Sequence, residues 1–339
     1  MASGFTRYVI KRVLTSLPML FLLVTVVFVV MHVLPGDPIL AIMGEKITYE
    51  QYMQLREAWG LNVPLHVQYV NYWTKMFQGD LGISVWTRRP VLQEIASAFP
   101  VTLELAAAAT LVSICIGIPF GIIAAVKRNK MPDFILRFVS LGGFSIPTFW
   151  VGMMFQLIVA IYLTGLLPIA GRANPRISIQ LITGFYTLDS VLNFNPTALV
   201  DAIAHLILPA LTNAFFSAAL INRIARSNLI EVMDQDFIET ARAKGLSEIS
   251  VMTKHAFKNA MLPIITVSGM NFARQLGGII VTETVFSMPG MGRLLISAVQ
   301  NRDFALIEGC VVVFGIAVVA VATLLDIFYA YLDPRIHYK

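Results

Sequence analysis

The chain is punctuated by uncharged, apolar runs long enough, or nearly so, to cross a bilayer. They lie at Leu14–Leu34, Leu105–Val126, Phe138–Gly171, Ala202–Asn222 and Asn259–Ala273, the last continuing past Arg274 to Thr282. A further run covers Gly309–Leu325 and extends through Asp326 to Tyr331. Hydrocarbon about 30 Å thick needs about 20 apolar residues per helix. The third run is too long for one span and reads as a helix from Phe138 to about Tyr162, followed by an exit loop at Gly165–Pro168. The expected fold class is an all-α membrane protein with six transmembrane helices. Composition agrees: 57% of the 339 residues are hydrophobic and 13% are charged, about half the charge fraction of a soluble domain.

Placement of lysine and arginine sets the expected orientation. With the N-terminus inside, the inner segments hold Arg7, Lys11, Arg12, Lys127, Arg128, Lys130, Arg137, Arg223, Arg226, Arg242, Lys244, Lys254, Lys258, Arg335 and Lys339. The outer bases concentrate between Pro35 and Ala98, a stretch long enough to escape the rule. Both termini are therefore expected in the cytoplasm. The net charge of +5 reports topology and not nucleic-acid binding, because the bases are not interleaved with an aromatic stacking face. The first run ends in Leu34-Pro35-Gly36-Asp37-Pro38, not in a small-x-small cleavage site, and reads as an uncleaved helix. Cys115 and Cys310 fall inside predicted spans and offer neither a disulfide framework nor metal-ligand spacing. His32, His66, His205, His255 and His337 are scattered, so no metal site is expected.

Between these spans lies a charged island, Glu231 to Pro263, with the pattern amphipathic helix, turn, amphipathic helix. Such an island on the basic side suits presentation to a soluble partner. No glycine in the chain is followed by lysine, so the G-x-x-x-x-G-K-[ST] phosphate loop is absent. In the island, Phe237, Ile238 and Ala241 are expected on one helical face, flanked by Asp236, Glu239, Arg242 and Lys244. Gly245 sits where a helix C-cap belongs, with Lys244 offsetting the dipole. The stretch from Pro35 to Pro100 mixes aromatics (Tyr49, Tyr52, Trp59, Tyr69, Tyr72, Trp73, Phe77, Trp86) with charges, and Glu50–Trp59 and Val67–Phe77 have helical spacing. It reads either as an interfacial cap with its aromatics at headgroup level or as a lid that receives substrate. A second outer segment, Gly171–Asp201, contains Asn174-Pro175, Asn195-Pro196 and a hydrophobic Ile177–Phe185 stretch, and is expected to be a loop with a short reentrant or interfacial helix.

Polar residues inside spans are candidates for lining a pathway. Ser268, Asn271 and Gln275 lie at i, i+3 and i+7 and share a face, with Arg274 close to it. An arginine at a helix centre costs about 2.5–3.5 kcal/mol on insertion scales. The stripe suits a translocation pathway that holds a carboxylate, or else a structural ion pair of Arg274 with Glu104 or Glu283. Asn213, Ser217 and Asn222 form a looser candidate set. Pro119 and Gly117-x-x-x-Gly121 read as kink and packing devices, Pro147 as a kink with a possible hinge role, and Asp326 as a partner for a basic inner residue.

The chain resembles the membrane subunits of bacterial ABC importers, specifically the B-type permease of the dipeptide/oligopeptide/nickel group. The resemblance rests on His32-Val33-Leu34-Pro35-Gly36-Asp37-Pro38, Gly79-Asp80-Leu81-Gly82-Ile83-Ser84 and Glu239-Thr240-Ala241-Arg242-Ala243-Lys244-Gly245. It continues through His255-Ala256-Phe257-Lys258-Asn259-Ala260-Met261-Leu262-Pro263, Thr282-Glu283-Thr284-Val285-Phe286-Ser287-Met288-Pro289-Gly290-Met291-Gly292-Arg293 and Asp333-Pro334-Arg335-Ile336. It implies a type I importer permease fold with an external segment between helices 1 and 2. The implied organisation is a first helix at 1–34, an external segment at 35–100, a five-helix core at 101–331 with coupling segment 231–258, and a tail at 332–339. Phe237, Glu239, Ala241, Arg242, Lys244 and Gly245 would form the coupling segment, with threonine at the motif's second position. The spacing from Gly245 to Leu262-Pro263 is longer than the general consensus and is similar to the peptide-permease variant. Implied partners are two ABC ATPase subunits, a sibling permease, an external solute-binding protein, the bilayer of the bacterial inner membrane and a peptide substrate. Nickel complexes, glutathione or haem are the alternative cargoes. No cofactor and no covalent chemistry are expected of the chain itself. A stand-alone secondary transporter would want midplane ion sites and internal symmetry, and neither is evident. An intramembrane enzyme finds no H-E-x-x-H or G-x-S-x-G.

Overall fold

The computed structural model describes residues 2–33, 39–40 and 47–332. The Leu34–Pro38 motif, Lys46 and the tail from Asp333, with its Asp333–Ile336 motif and His337, lie outside the described residues. Among the described residues there is no strand, only one bridge between Ile83 and Pro90. The first apolar run becomes α1, Ala2–Val33. Leu14, Leu22 and Val26 on it stay exposed, as expected of a helix whose outer face meets lipid.

Helices α2 (Tyr49–Ala58) and α3 (Leu65–Phe77) follow. Thr48 opens α2 with a capping box: its hydroxyl accepts from Gln51 N, and the Gln51 side chain accepts from Thr48 N. The aromatics of α3 pack on α1, Trp73 stacking on Phe21 at 5.1 Å and Tyr69 meeting Phe28 at 5.1 Å. This segment is thus fastened to the first helix by its own rings.

Two long helices form the backbone of the bundle, α4 (Val91–Val126) and α8 (Pro196–Met233). Asn195 starts α8 by accepting from Ala198 N at 3.1 Å, with Pro196 preset for the first turn. Gly117 and Gly121 let the two axes approach: a Cβ at Gly117 would stand 2.8 Å from that of Ile221, and one at Gly121 2.5 Å from that of Ala225. The small-xxx-small packing read from the sequence is therefore realised between α4 and α8.

The third predicted span departs from expectation. It is not one helix but two, α5 (Met131–Ser145) and α6 (Thr148–Tyr162), bent by 106° at the break. Pro147 supplies the cause, since it has no N–H to continue the ladder. The residue before it is driven out of the helical region, and Ile146 sits at φ −92°, ψ 127°. The second outer segment holds a short helix as expected, α7 at Tyr186–Leu192, just beyond the hydrophobic Ile177–Phe185 stretch, which is not helical.

The charged island folds as α9 (Asp236–Ala243), a short turn at Glu248–Ser250, a π-helical stretch at Val251–Ala256, and α10 (Phe257–Gly278). Then come α11 (Ile280–Val285), α12 (Met291–Gln300) and α13 (Phe304–Leu332). By length and apolarity α1, α4, α8 and α13 can each cross a membrane, and the bent α5–α6 pair counts as a fifth span. The remaining predicted crossing is α10, 22 residues long. Its polar stripe makes it too polar for lipid by itself, and it packs against α4, α8 and α13.

The main core gathers Leu105 of α4, Val159 of α6, Leu208 of α8, Leu276 of α10, and Phe286 and Met288 after α11. Charges pin both ends of the bundle. At the α9 end, Asp133 is fully buried and takes Arg226 through two bonds of 2.6 and 2.9 Å, with Arg137 at 3.3 Å. Asp326, read as a structural partner, pairs with Arg12 of α1.

Candidate functional site

At the opposite end, three buried carboxylates hold the connecting loops. Asp303 caps α13 by accepting from Leu306 N, and also takes Ser84 Oγ at 2.6 Å and Trp86 N at 3.2 Å. This gives the Gly79–Ser84 motif a physical purpose. Glu104 of α4 pairs with Arg172 at 3.0 Å and accepts from Thr187 N at 2.7 Å, which caps α7. Glu283 accepts from Thr102 Oγ1 at 2.5 Å and from the backbone N–H of Gly292 and Arg293 at 2.8 and 3.1 Å, holding the start of α12. Both acids that the sequence offers Arg274, Glu104 and Glu283, are thus committed elsewhere. The same end contains a cavity of about 1030 Å³ between α3, the Asp80–Ile83 turn and the first turns of α13, with Trp59, Lys75 and Glu308 on its walls.

Inside the bundle a smaller cavity of about 310 Å³ brings Asn213 and Ser217 of α8 together with Arg274 and Gln275 of α10. Two sets of polar residues taken from separate spans in the sequence therefore line one space. Thr148 and Phe149, the first residues after the Pro147 break, form another wall. Arg274 donates to Asn271 Oδ1 at 2.7 Å, and its guanidinium carbon lies 4.6 Å from the centre of the Phe216 ring. Gln275 donates to Thr110 at 3.1 Å, leaving its Oε1 buried without a partner. Asn213 accepts from Thr282 at 3.1 Å. Ser268 and Asn271 are buried and do not line the cavity: Ser268 bonds back to Ile264 O, and Asn271 positions Arg274. Asn222 also turns away, donating to Ser140 at 2.7 Å.

On the island, α9 buries Ile238 and Ala241 against Leu229, Val232, Val251 and Met252. Asp236 and Glu239 occupy its first turn, where the helix dipole favours negative charge. Gly245 has φ +75°, the left-handed region expected just past a helix end, and its N–H returns to Arg242 O at 2.9 Å. Arg242 is held by Glu248 at 2.9 Å. One sequence expectation fails here. Phe237 does not share the inward face with Ile238 and Ala241; it is 38% exposed and joins Leu246 and Ile249 on the outward surface. Adjacent positions on a helix point about 100° apart, and α9 turns Ile238 fully inward, which leaves Phe237 at the edge of the buried face.

Residues 117–338 match the family described as binding-protein-dependent transport system inner membrane component, and residues 5–106 match its N-terminal companion. The chain belongs to this permease family. It is 38% identical to the dipeptide transport system permease protein DppB of Escherichia coli (strain K12), over 98% of this chain and 99% of that one. Against the dipeptide permease DppB of Alkalihalophilus pseudofirmus it is 39% identical, again over 98% and 99%. The glutathione transport system permease protein GsiC of Salmonella choleraesuis is 37% identical over the same shares. A crystal structure of an amino acid ABC transporter with histidines is similar at TM-score 0.48 and 16% identity, over 70% of this chain and 94% of that one.

Several residues of the cavity wall were not among the sequence candidates. Thr282 and Phe216 line the cavity, yet one lies at the end of a run and the other is an ordinary apolar residue of a span. The loop-holding role of Glu283 was not legible, although the residue stands in the Thr282–Arg293 motif, because a carboxylate bound by backbone N–H groups leaves no spacing signal.

Proposed function

We propose that the chain is the membrane-spanning permease subunit of an ATP-driven importer of peptides, which an external solute-binding protein delivers. The observation that carries this reading is Arg274. Among the described residues no acidic side chain reaches its guanidinium, which lines the cavity between α8 and α10. An intramembrane cation without a fixed counterion suits an anionic ligand, and every peptide with a free C-terminus brings a carboxylate. The full-length likeness to dipeptide permeases supports the same cargo.

In this reading both termini and α9 face the cytoplasm, and α9 is the knob that fits a groove of one of the two ABC ATPase subunits. Ile238 and Ala241 anchor it from within, leaving Phe237, Glu239, Arg242, Lys244 and Gly245 to the partner. ATP-driven closure of those subunits moves α9, and the bundle responds at the Pro147 break, whose far side walls the cavity. A sibling permease completes the pathway, and the segment at 35–100 receives the binding protein. The chain performs no hydrolysis itself. Glutathione, itself a tripeptide derivative, is the second reading, carried by the glutathione permease relative.

Gentle purification from the native membrane with mass spectrometry of the companions tests the assembly. Two P-loop ATPases and a second six-helix permease are expected; recovery of the chain alone would favour a stand-alone transporter. Competition of labelled dipeptide uptake by glutathione then separates the two cargoes.

A further inference from the structure

Arg274 has a counterpart. Arg223 of α8 is also exposed, and among the described residues no carboxylate lies within ion-pair distance of it. Two phenyl rings join the pair. The Arg223 guanidinium carbon lies 6.0 Å from the centre of Phe144 on α5. Phe144 meets Phe216 of α8 edge-to-face, centroids 5.0 Å apart and planes at 83°. Phe216 in turn carries Arg274 of α10 at 4.6 Å. Three helices thus build one continuous ladder: arginine, phenyl, phenyl, arginine.

The ladder has a direction. On α8, Asn213, Phe216, Ser217, Leu220 and Arg223 fall at i, i+3, i+4, i+7 and i+10, a single stripe. At 1.5 Å per residue, Arg223 stands about 15 Å beyond Asn213 along the axis, toward the α9 end. Phe216 and Arg274 line the 310 Å³ cavity, while Phe144 and Arg223 do not. The second arginine therefore waits past the cavity's end, on the side where α8 leads into α9.

The geometry points to a two-station relay for a carboxylate: the substrate's carboxylate binds at Arg274 and is passed along the phenylalanine pair to Arg223. The inference rests on the peptide reading for its ligand. Aromatic faces hold both guanidiniums in place without neutralising them, so each keeps its charge for a ligand. Ring edges are the positive part of the phenyl quadrupole, so the edge-to-face pair between the stations offers an anion a compatible surface. Conduction requires sites that bind well enough to load and are multiple enough to release; a lone arginine on the pathway would retain its anion.

The test uses the complete transporter in proteoliposomes, with ATPases, sibling permease and binding protein, and labelled dialanine as the probe. Two quantities are read: uptake into the lumen, and dialanine retained on the complex after washing. Arg223→Gln is expected to lower uptake about tenfold while retained dialanine rises, because the ligand stalls at Arg274. Arg223→Lys should recover most of the uptake, and Arg274→Gln should lower both quantities. Unchanged uptake in Arg223→Gln overturns the relay. So does uptake and retention falling together in that variant, which is what a purely structural arginine would give. A wild-type complex that moves neither dialanine, nor longer alanine peptides, nor glutathione sinks the peptide reading itself, and the carboxylate with it.

Discussion

Gly245 has open space around it, with no atom within 4 Å of where a Cβ would stand, yet its φ of +75° is one that side chains resist. Any penalty for a side chain there is backbone strain alone, about 1–2 kcal/mol, confined to the end of α9. Gly245→Val is therefore expected to leave the amount of subunit in the membrane unchanged while removing most uptake, since the outward surface of α9 shifts against its partner. Persistent uptake at normal expression would show that α9 is not the coupling element. The ion pair of Arg242 with Glu248 is a weaker lever, because both side chains are substantially exposed and such pairs contribute about 0–1 kcal/mol. Gly245 was legible because a glycine after an amphipathic stretch has one common use. Phe237 was not, because two adjacent apolar residues leave the burial of either one to the neighbouring helices.

Between elements, the closest approach is that of α4 and α8. Gly121→Leu would drive four carbons into Ala225 and the Asn222 carbonyl, an overpacking that costs about 1–3 kcal/mol. A lowered unfolding temperature of the detergent-solubilised subunit checks this, and an unchanged one would mean the helices can separate freely. Helix α7 offers a pH handle. Burial pushes the Asp189 carboxyl up, but bonds from the Thr183 hydroxyl and N–H and from Gly184 N–H outweigh it and hold it below the ordinary value. A folded pKa below the unfolded one means stability that is present above the unfolded value and lost as pH falls through the folded one. Hydrogen exchange at Thr183 and Gly184, corrected for intrinsic rates, should lose protection on acidification, and Asp189→Asn should lose it already at neutral pH. Pure composition located the helices, because an apolar run in lipid has few other options. The kink at Pro147 was legible but its size was not: proline within a membrane helix is often tolerated with a mild bend, and only the packing of the neighbours makes it a 106° turn.

Across the whole molecule, first and last helices are joined. Arg12 and Asp326 meet although 314 positions separate them, and Val24 and Val27 of α1 pack with Val312 of α13. Arg12→Ala and Asp326→Ala should each destabilise the subunit, and the double variant should cost less than their sum. Strict additivity in thermal unfolding would show that the pair contributes nothing of its own. Contacts of this range were the least legible part. The sequence offered Asp326 a basic partner without saying which, and it placed Phe144, Phe216, Arg223 and Arg274 on three helices with no sign that their rings and charges align. The pairing of α1 with α13 also has a consequence for biosynthesis. Helix α1 has this neighbour delivered only after every described helix between them has been made. Until then Arg12 lacks its acid, and a chain that stops short of α13 never supplies it.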